Sequence, residues 1–113
     1  MSSLFRVLLL WLFVNVMPLH ARVYLVSVGI ANYPGTKNDL RISDNDAKTI
    51  AKVFLATKDA SVKVLTNEDA TQSALLSTMH TLFEDAQSDD AVVLYFSGHG
   101  TPGALACHDG LLT

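Results

Sequence analysis

A chain of 113 residues, half of them hydrophobic and 17% charged, has the length of one domain and too much apolar content for disorder. Its net charge of −3 and eight scattered basic residues form no basic stripe to meet a phosphate backbone, which sets nucleic acid aside as a partner. A single cysteine, Cys107, excludes an internal disulfide and a multi-cysteine zinc site, and the histidines at 20, 80, 99 and 108 lack metal-ligand spacing, so no metal or cofactor is expected.

Met1 to Ala21 reads as a secretory signal peptide. Arg6 supplies a positive flank, Val7 to Val14 an apolar core, and Pro18-Leu19-His20-Ala21 a polar-to-small exit suited to signal peptidase. The core is short for a membrane span, although an uncleaved anchor is the alternative. Cleavage after Ala21 would release residues 22–113 as an exported, periplasmic or extracellular domain with no stable membrane insertion.

The domain opens with Val23-Tyr24-Leu25-Val26-Ser27-Val28-Gly29-Ile30, a β-branched, uncharged run that predicts a buried strand. Ala31-Asn32-Tyr33-Pro34-Gly35 breaks it, and a polar loop continues to Arg41. Ser43-Asp44-Asn45-Asp46 predicts a helix start in which Ser43 caps and Asp46 reaches back three positions later. Ala47, Ile50, Ala51 and Phe54 then recur at helical spacing, giving a face to pack on the sheet.

Ser61 to Thr66 alternates and predicts a second, less buried strand beside the first. After the polar turn Asn67-Glu68-Asp69-Ala70, Thr71 is a cap for a helix running to about Gln87, with Leu75, Met79, Leu82, Phe83 and Ala86 along one stripe. His80 lies beside that stripe and reads as a surface or half-buried residue.

Ala91-Val92-Val93-Leu94-Tyr95-Phe96 predicts a strand buried on both faces of a parallel sheet, and it stops at Ser97-Gly98-His99-Gly100. A histidine between glycines at the carboxyl end of such a strand sits where open α/β sheets place their chemistry, and the glycines let other groups come close. The order strand, loop, helix, strand, helix, strand is a βαβαβ unit with right-handed crossovers, its two helices covering opposite faces if the strand order reverses between them. No Gly-x-Gly-x-x-Gly turn or Gly-Lys-Ser/Thr follows Ile30, which argues against nucleotide binding.

Taken together, Leu25 to Tyr33, Leu40 with Asp44-Asn45-Asp46-Ala47, the Thr-capped second helix and Asp90 to Gly100 resemble the amino-terminal half of a caspase-like peptidase domain, nearest to the metacaspases. Ser-Gly-His-Gly at the end of an apolar strand is the specific part of that likeness. The resemblance implies an α/β, three-layer fold with a mainly parallel sheet, of which residues 22–113 carry the βαβαβ part. It implies a cysteine endopeptidase acting on protein or peptide substrates. His99 would match the catalytic histidine, and Gly100 the glycine whose backbone N–H holds the oxyanion.

Asp46 and Ser97 would match positions lining the pocket for the residue before the scissile bond, where a carboxylate favours Arg or Lys over Asp. Asp46 also reads as a plain helix-start carboxylate, and Ser97 as a strand-end hydrogen-bonding group. Caspases that cut after aspartate carry an arginine in the first loop where this chain has Leu40; Arg41 is one place off. The family's cysteine comes roughly 50 residues after the histidine. Cys107 lies in the glycine- and proline-bearing stretch Thr101 to Gly110, read as a loop that nothing anchors opposite the imidazole. The remainder of the peptidase domain, nucleophile included, is therefore expected outside these residues. The alternative is a non-catalytic, caspase-like binding or regulatory module.

Overall fold

The computed structural model describes residues 21–35, 39–57 and 59–113. The leader expected over Met1–Ala21 lies, except for Ala21, outside the described residues. Among the described residues no helix is long and apolar enough to cross a membrane.

Three parallel strands, β1 (Val23–Gly29), β2 (Ala60–Thr66) and β3 (Ala91–Ser97), form a sheet in the order β2-β1-β3. Helix α1 (Ser43–Thr57) connects β1 to β2, and α2 (Gln72–Phe83) connects β2 to β3. The crossover therefore runs outward from β1 to one side, then back across it to the other. This reversal sends the helices to opposite faces. Val23 and Leu25 pack with Phe54 and Ile50 of α1, while Val26, Val28 and Ile30 pack with Leu75, Met79, Leu82 and Phe83 of α2. The alternation of side chains along a strand divides β1 between the two clusters.

The doubly covered strand is β1, all seven residues of which are buried. This corrects the expectation for β3, in which only Ala91 and Phe96 are buried and Val92 is 42% exposed. An uncharged run marks either position, because composition does not tell a central strand from an outer one. The second strand is, as read, the flanking and less buried one.

Ser27, fully buried in β1, donates its hydroxyl to the Ala47 carbonyl at 2.7 Å, so this buried polar side chain is satisfied by the helix above it. Two residues on, Gly29 permits a close approach of helix to strand. A Cβ built there would lie 2.1 Å from the Ser43 carbonyl oxygen and 2.7 Å from the Ala47 Cβ. The first turn of α1 is thereby seated directly over the carboxyl end of β1.

Other local signals resolve with differences. Thr71 caps α2, its hydroxyl accepting from the Ala74 N–H at 3.2 Å, but the helix ends at Phe83 rather than Gln87. The Asp90 carboxylate folds the following segment into a turn by accepting from the Gln87 N–H, and it also accepts from the Arg22 N–H, both at 2.9 Å. The capping box at Ser43 is not made. Asp46 turns away from its own helix, as described below. His80 is on the surface, 3.5 Å from Glu84 one turn later.

The largest departure follows His99. Thr101 to Gly110 is not a loop. Residues Gly100–Thr101 (β4), Ala104–Cys107 (β5) and Gly110–Leu112 (β6) form an antiparallel sheet in chain order, turning at Pro102-Gly103 and at His108-Asp109. Leu105, Cys107 and Leu112 reach into the α2-side cluster. The His108 N–H donates to the Ala70 carbonyl, and the Asp109 carboxylate accepts from the Gln72 N–H at the start of α2, each at 2.9 Å. Strands of two to four residues are too short to display a period, so the turn residues were the only visible sign.

Two outcomes follow. Gly29→Ala forces Cβ onto backbone atoms and is expected to cost about 2 kcal/mol or more by urea denaturation, in the upper range for overpacking; a loss below about 0.5 kcal/mol contradicts the close approach. The N–H groups of Gln87 and Arg22 hold the Asp90 carboxyl below its ordinary value. Its ionised form thus contributes stability that is complete above about pH 4 and is lost as the pH falls through the lowered value. Asp90→Asn should remove that part of the acid dependence, and an unchanged acid limb in the variant contradicts it.

Candidate functional site

Register places the site. Gly29 is level with Thr66 on one side and Ser97 on the other, so all three strands end on one rim. The Ile30 N–H donates to the Ser97 carbonyl at 2.9 Å, which carries the alignment one residue beyond the sheet. The loop after β1, the first turn of α1 and the Gly-His-Gly turn after β3 converge there.

Of the residues anticipated from sequence, Asp46 and Ser97 come together. The Ser97 hydroxyl donates to Asp46 Oδ2 at 3.2 Å, linking α1 to the end of β3 across 51 positions of sequence. Both are half-buried. This contact replaces the backward cap expected of Asp46, and the carboxylate keeps further acceptor capacity.

His99 lies two residues past Ser97, exposed at the same rim. Its backbone N–H donates to Tyr33 Oη at 2.9 Å, and its carbonyl accepts from the Ala106 N–H at 3.0 Å. The two rings sit 4.8 Å apart between centroids, tilted by 47°. Gly100 follows in β4, level with Leu105 and exposed.

Tyr33 was missed as a site residue. In the sequence it stands in the strand-breaking loop and at the end of the stretch Leu25 to Tyr33 that carries the family likeness, with no role of its own. Its hydroxyl donates to the Ala106 carbonyl at 2.8 Å while accepting from His99, and burial pushes its pKa up against the lowering effect of the His99 N–H. What approaches Gly98 is this phenol: a Cβ there would lie 2.6 Å from Oη, whereas one on Gly100 would meet the Ala104 carbonyl oxygen at 3.3 Å. Asn67 was likewise read as a mere turn residue. Held at φ +50°, it accepts at Oδ1 from the Ala31 and Asn32 N–H groups (2.9 and 3.0 Å) and donates from Nδ2 to Asp44 at 3.2 Å. It pins the first loop to the start of α1. Neither role leaves a local mark in sequence beyond the tolerance of Asn for the left-handed region.

In the described part of that loop, the Leu40 N–H donates to the Ala31 carbonyl and Arg41 is exposed. Cys107 and His99 line one cleft of about 410 Å³, together with Tyr33, Pro34, His108 and Asp109. The hairpin therefore anchors Cys107 on the imidazole's side of the molecule, contrary to the loop expected there. Yet the residue is only 2% exposed, and burial, then the charge of Asp109, push its thiol pKa up. A thiol so held stays protonated at neutral pH, the opposite of an activated nucleophile. Among the described residues no group of three His, Cys, Asp or Glu side chains could hold a metal ion.

Comparison with known proteins agrees with this architecture. Residues 22–112 match the caspase domain family. The chain is 36% identical over 84 residues to metacaspase-4 of Arabidopsis thaliana, covering 67% of this chain and 20% of that protein. It is 36% identical over 81 residues to metacaspase-1 of Candida albicans, covering 65% and 18%. It thus spans about a fifth of the length of the curated relatives it matches. Since the family match runs through the parallel sheet, both helices and the hairpin, the chain belongs to the caspase domain family.

Proposed function

We propose that this chain supplies the histidine part of a cysteine endopeptidase site of the metacaspase type, with the nucleophilic sulfur contributed from outside these residues. The observation that carries the reading is the hydrogen bond from Ser97 to Asp46 two residues before His99. One short segment thereby joins an acidic side chain to an exposed imidazole on a rigid strand end.

The chemistry follows from the groups. A thiolate attacks the peptide carbonyl. The His99 imidazolium gives its proton to the leaving amine as the C–N bond breaks, then takes a proton from the water that hydrolyses the thioester. The Gly100 N–H faces the developing oxyanion. Asp46, oriented by Ser97, receives the side chain before the scissile bond and selects Arg or Lys, because a second carboxylate there is repelled. The substrates are proteins or peptides. The leader directs the enzyme to an exported location, with Met1–Ala21 removed.

The alternative reading is a non-catalytic caspase-like module; Cys107, buried and with its thiol pKa pushed up, serves as nucleophile in neither. Peptides carrying Arg, Lys or Asp before the scissile bond separate the two when offered to the intact gene product. Cleavage after Arg and Lys is expected, with a loss of about 100-fold or more in kcat/KM for His99→Ala. Asp46→Asn should lower kcat/KM for the Arg peptide about tenfold, the scale of one lost charged hydrogen bond. Cleavage after Asp, or full activity in His99→Ala, overturns the reading; no cleavage and no labelling by an arginyl acyloxymethyl ketone establishes the module.

A further inference from the structure

The structure assigns Tyr33 as the positioning residue of His99: its hydroxyl fixes the histidine's main chain to the hairpin, and its ring supports one side of the imidazole. This deepens the reading above, since it concerns the residue given there the proton-transfer role.

Three observations converge on it. The phenol oxygen is used in both directions, accepting from the His99 N–H at 2.9 Å and donating to the Ala106 carbonyl at 2.8 Å. The Ala106 N–H meets the His99 carbonyl at 3.0 Å, so both backbone groups of the histidine are tied to Tyr33 or to the strand that Tyr33 holds. The ring contact at 4.8 Å adds a side-chain restraint to the main-chain one.

The surroundings are built for this contact. Gly98 leaves the space that a Cβ would take 2.6 Å from Oη, and its backbone is not in the left-handed region, so steric room is what glycine provides there. Tyr33 is itself held, its N–H donating to Asp39 at 3.0 Å. An imidazole on an exposed turn would otherwise sample several rotamers, and proton transfer falls steeply with small misplacements of the reacting groups.

The test is hydrogen exchange and ring-proton NMR on the intact gene product without substrate, which need no turnover. Tyr33→Phe keeps the ring and deletes the hydroxyl. It should speed exchange of the His99 amide about five- to tenfold, the scale of one net hydrogen bond, while Val26 in β1 stays unchanged and the His99 ring-proton shifts hold. Tyr33→Leu should in addition move those ring shifts. Gly98→Ala, which alters neither ring, should reproduce the amide effect.

Unchanged His99 exchange in Tyr33→Phe, or equal acceleration at Val26, overturns the assignment. In the intact gene product Tyr33→Leu should lower kcat by about ten- to a hundredfold with KM held; a raised KM at constant kcat also overturns it. Because exchange is read without substrate, failure of the positioning role and failure of the peptidase reading give different results.

Discussion

The structure depends on one strand being bonded on both sides in register. β1 pairs in parallel with β2 and with β3 over all seven of its residues, and both of its faces are covered by helices. Burying its Val and Leu side chains supplies about 1.5–3 kcal/mol each. The same pairing fixes where every strand ends. A slip of one residue would turn each side chain to the wrong face, so the common rim at Gly29 and Ser97 is set by core packing rather than by the site itself.

On that rim the molecule relies on close approach. Gly29 lets α1 descend until Asp46 reaches Ser97, and Gly98 lets the Tyr33 hydroxyl reach the backbone of His99. Asn67 closes the arrangement from the β2 side by holding the first loop to α1. Cys107 marks the contrast between a core residue and a reactive one. It shares a cleft with His99, yet its thiol is buried and carries a raised pKa, whereas a peptidase nucleophile needs the reverse.

Much of this was legible in the sequence, and the reasons separate cleanly. Val23 to Ile30 and the stripe Ala47, Ile50, Ala51, Phe54 are long enough to display their periods, and Thr71 sits where a cap must. The Ser-Gly-His-Gly turn carried the likeness to the family the chain belongs to. What stayed hidden was either short or distant. β4 to β6 are too brief to show alternation, and the partnership of Tyr33 with His99 spans 66 positions that only the folded sheet brings together. Asp46 carries two readings in the sequence, a local cap and a pocket position shared with Ser97, and only the folded rim, where the Ser97 hydroxyl reaches its carboxylate, decides against the cap.

The central claim is that this rim presents an acidic specificity group and a proton-transferring imidazole to one bound peptide. A crystal structure of the intact gene product inactivated by an arginyl peptide acyloxymethyl ketone tests it most directly. The account predicts the guanidinium on Asp46 and the thioether sulfur within about 4 Å of the His99 ring, in reach for proton transfer. An adduct with its guanidinium elsewhere, or with His99 turned away from the sulfur, would contradict it.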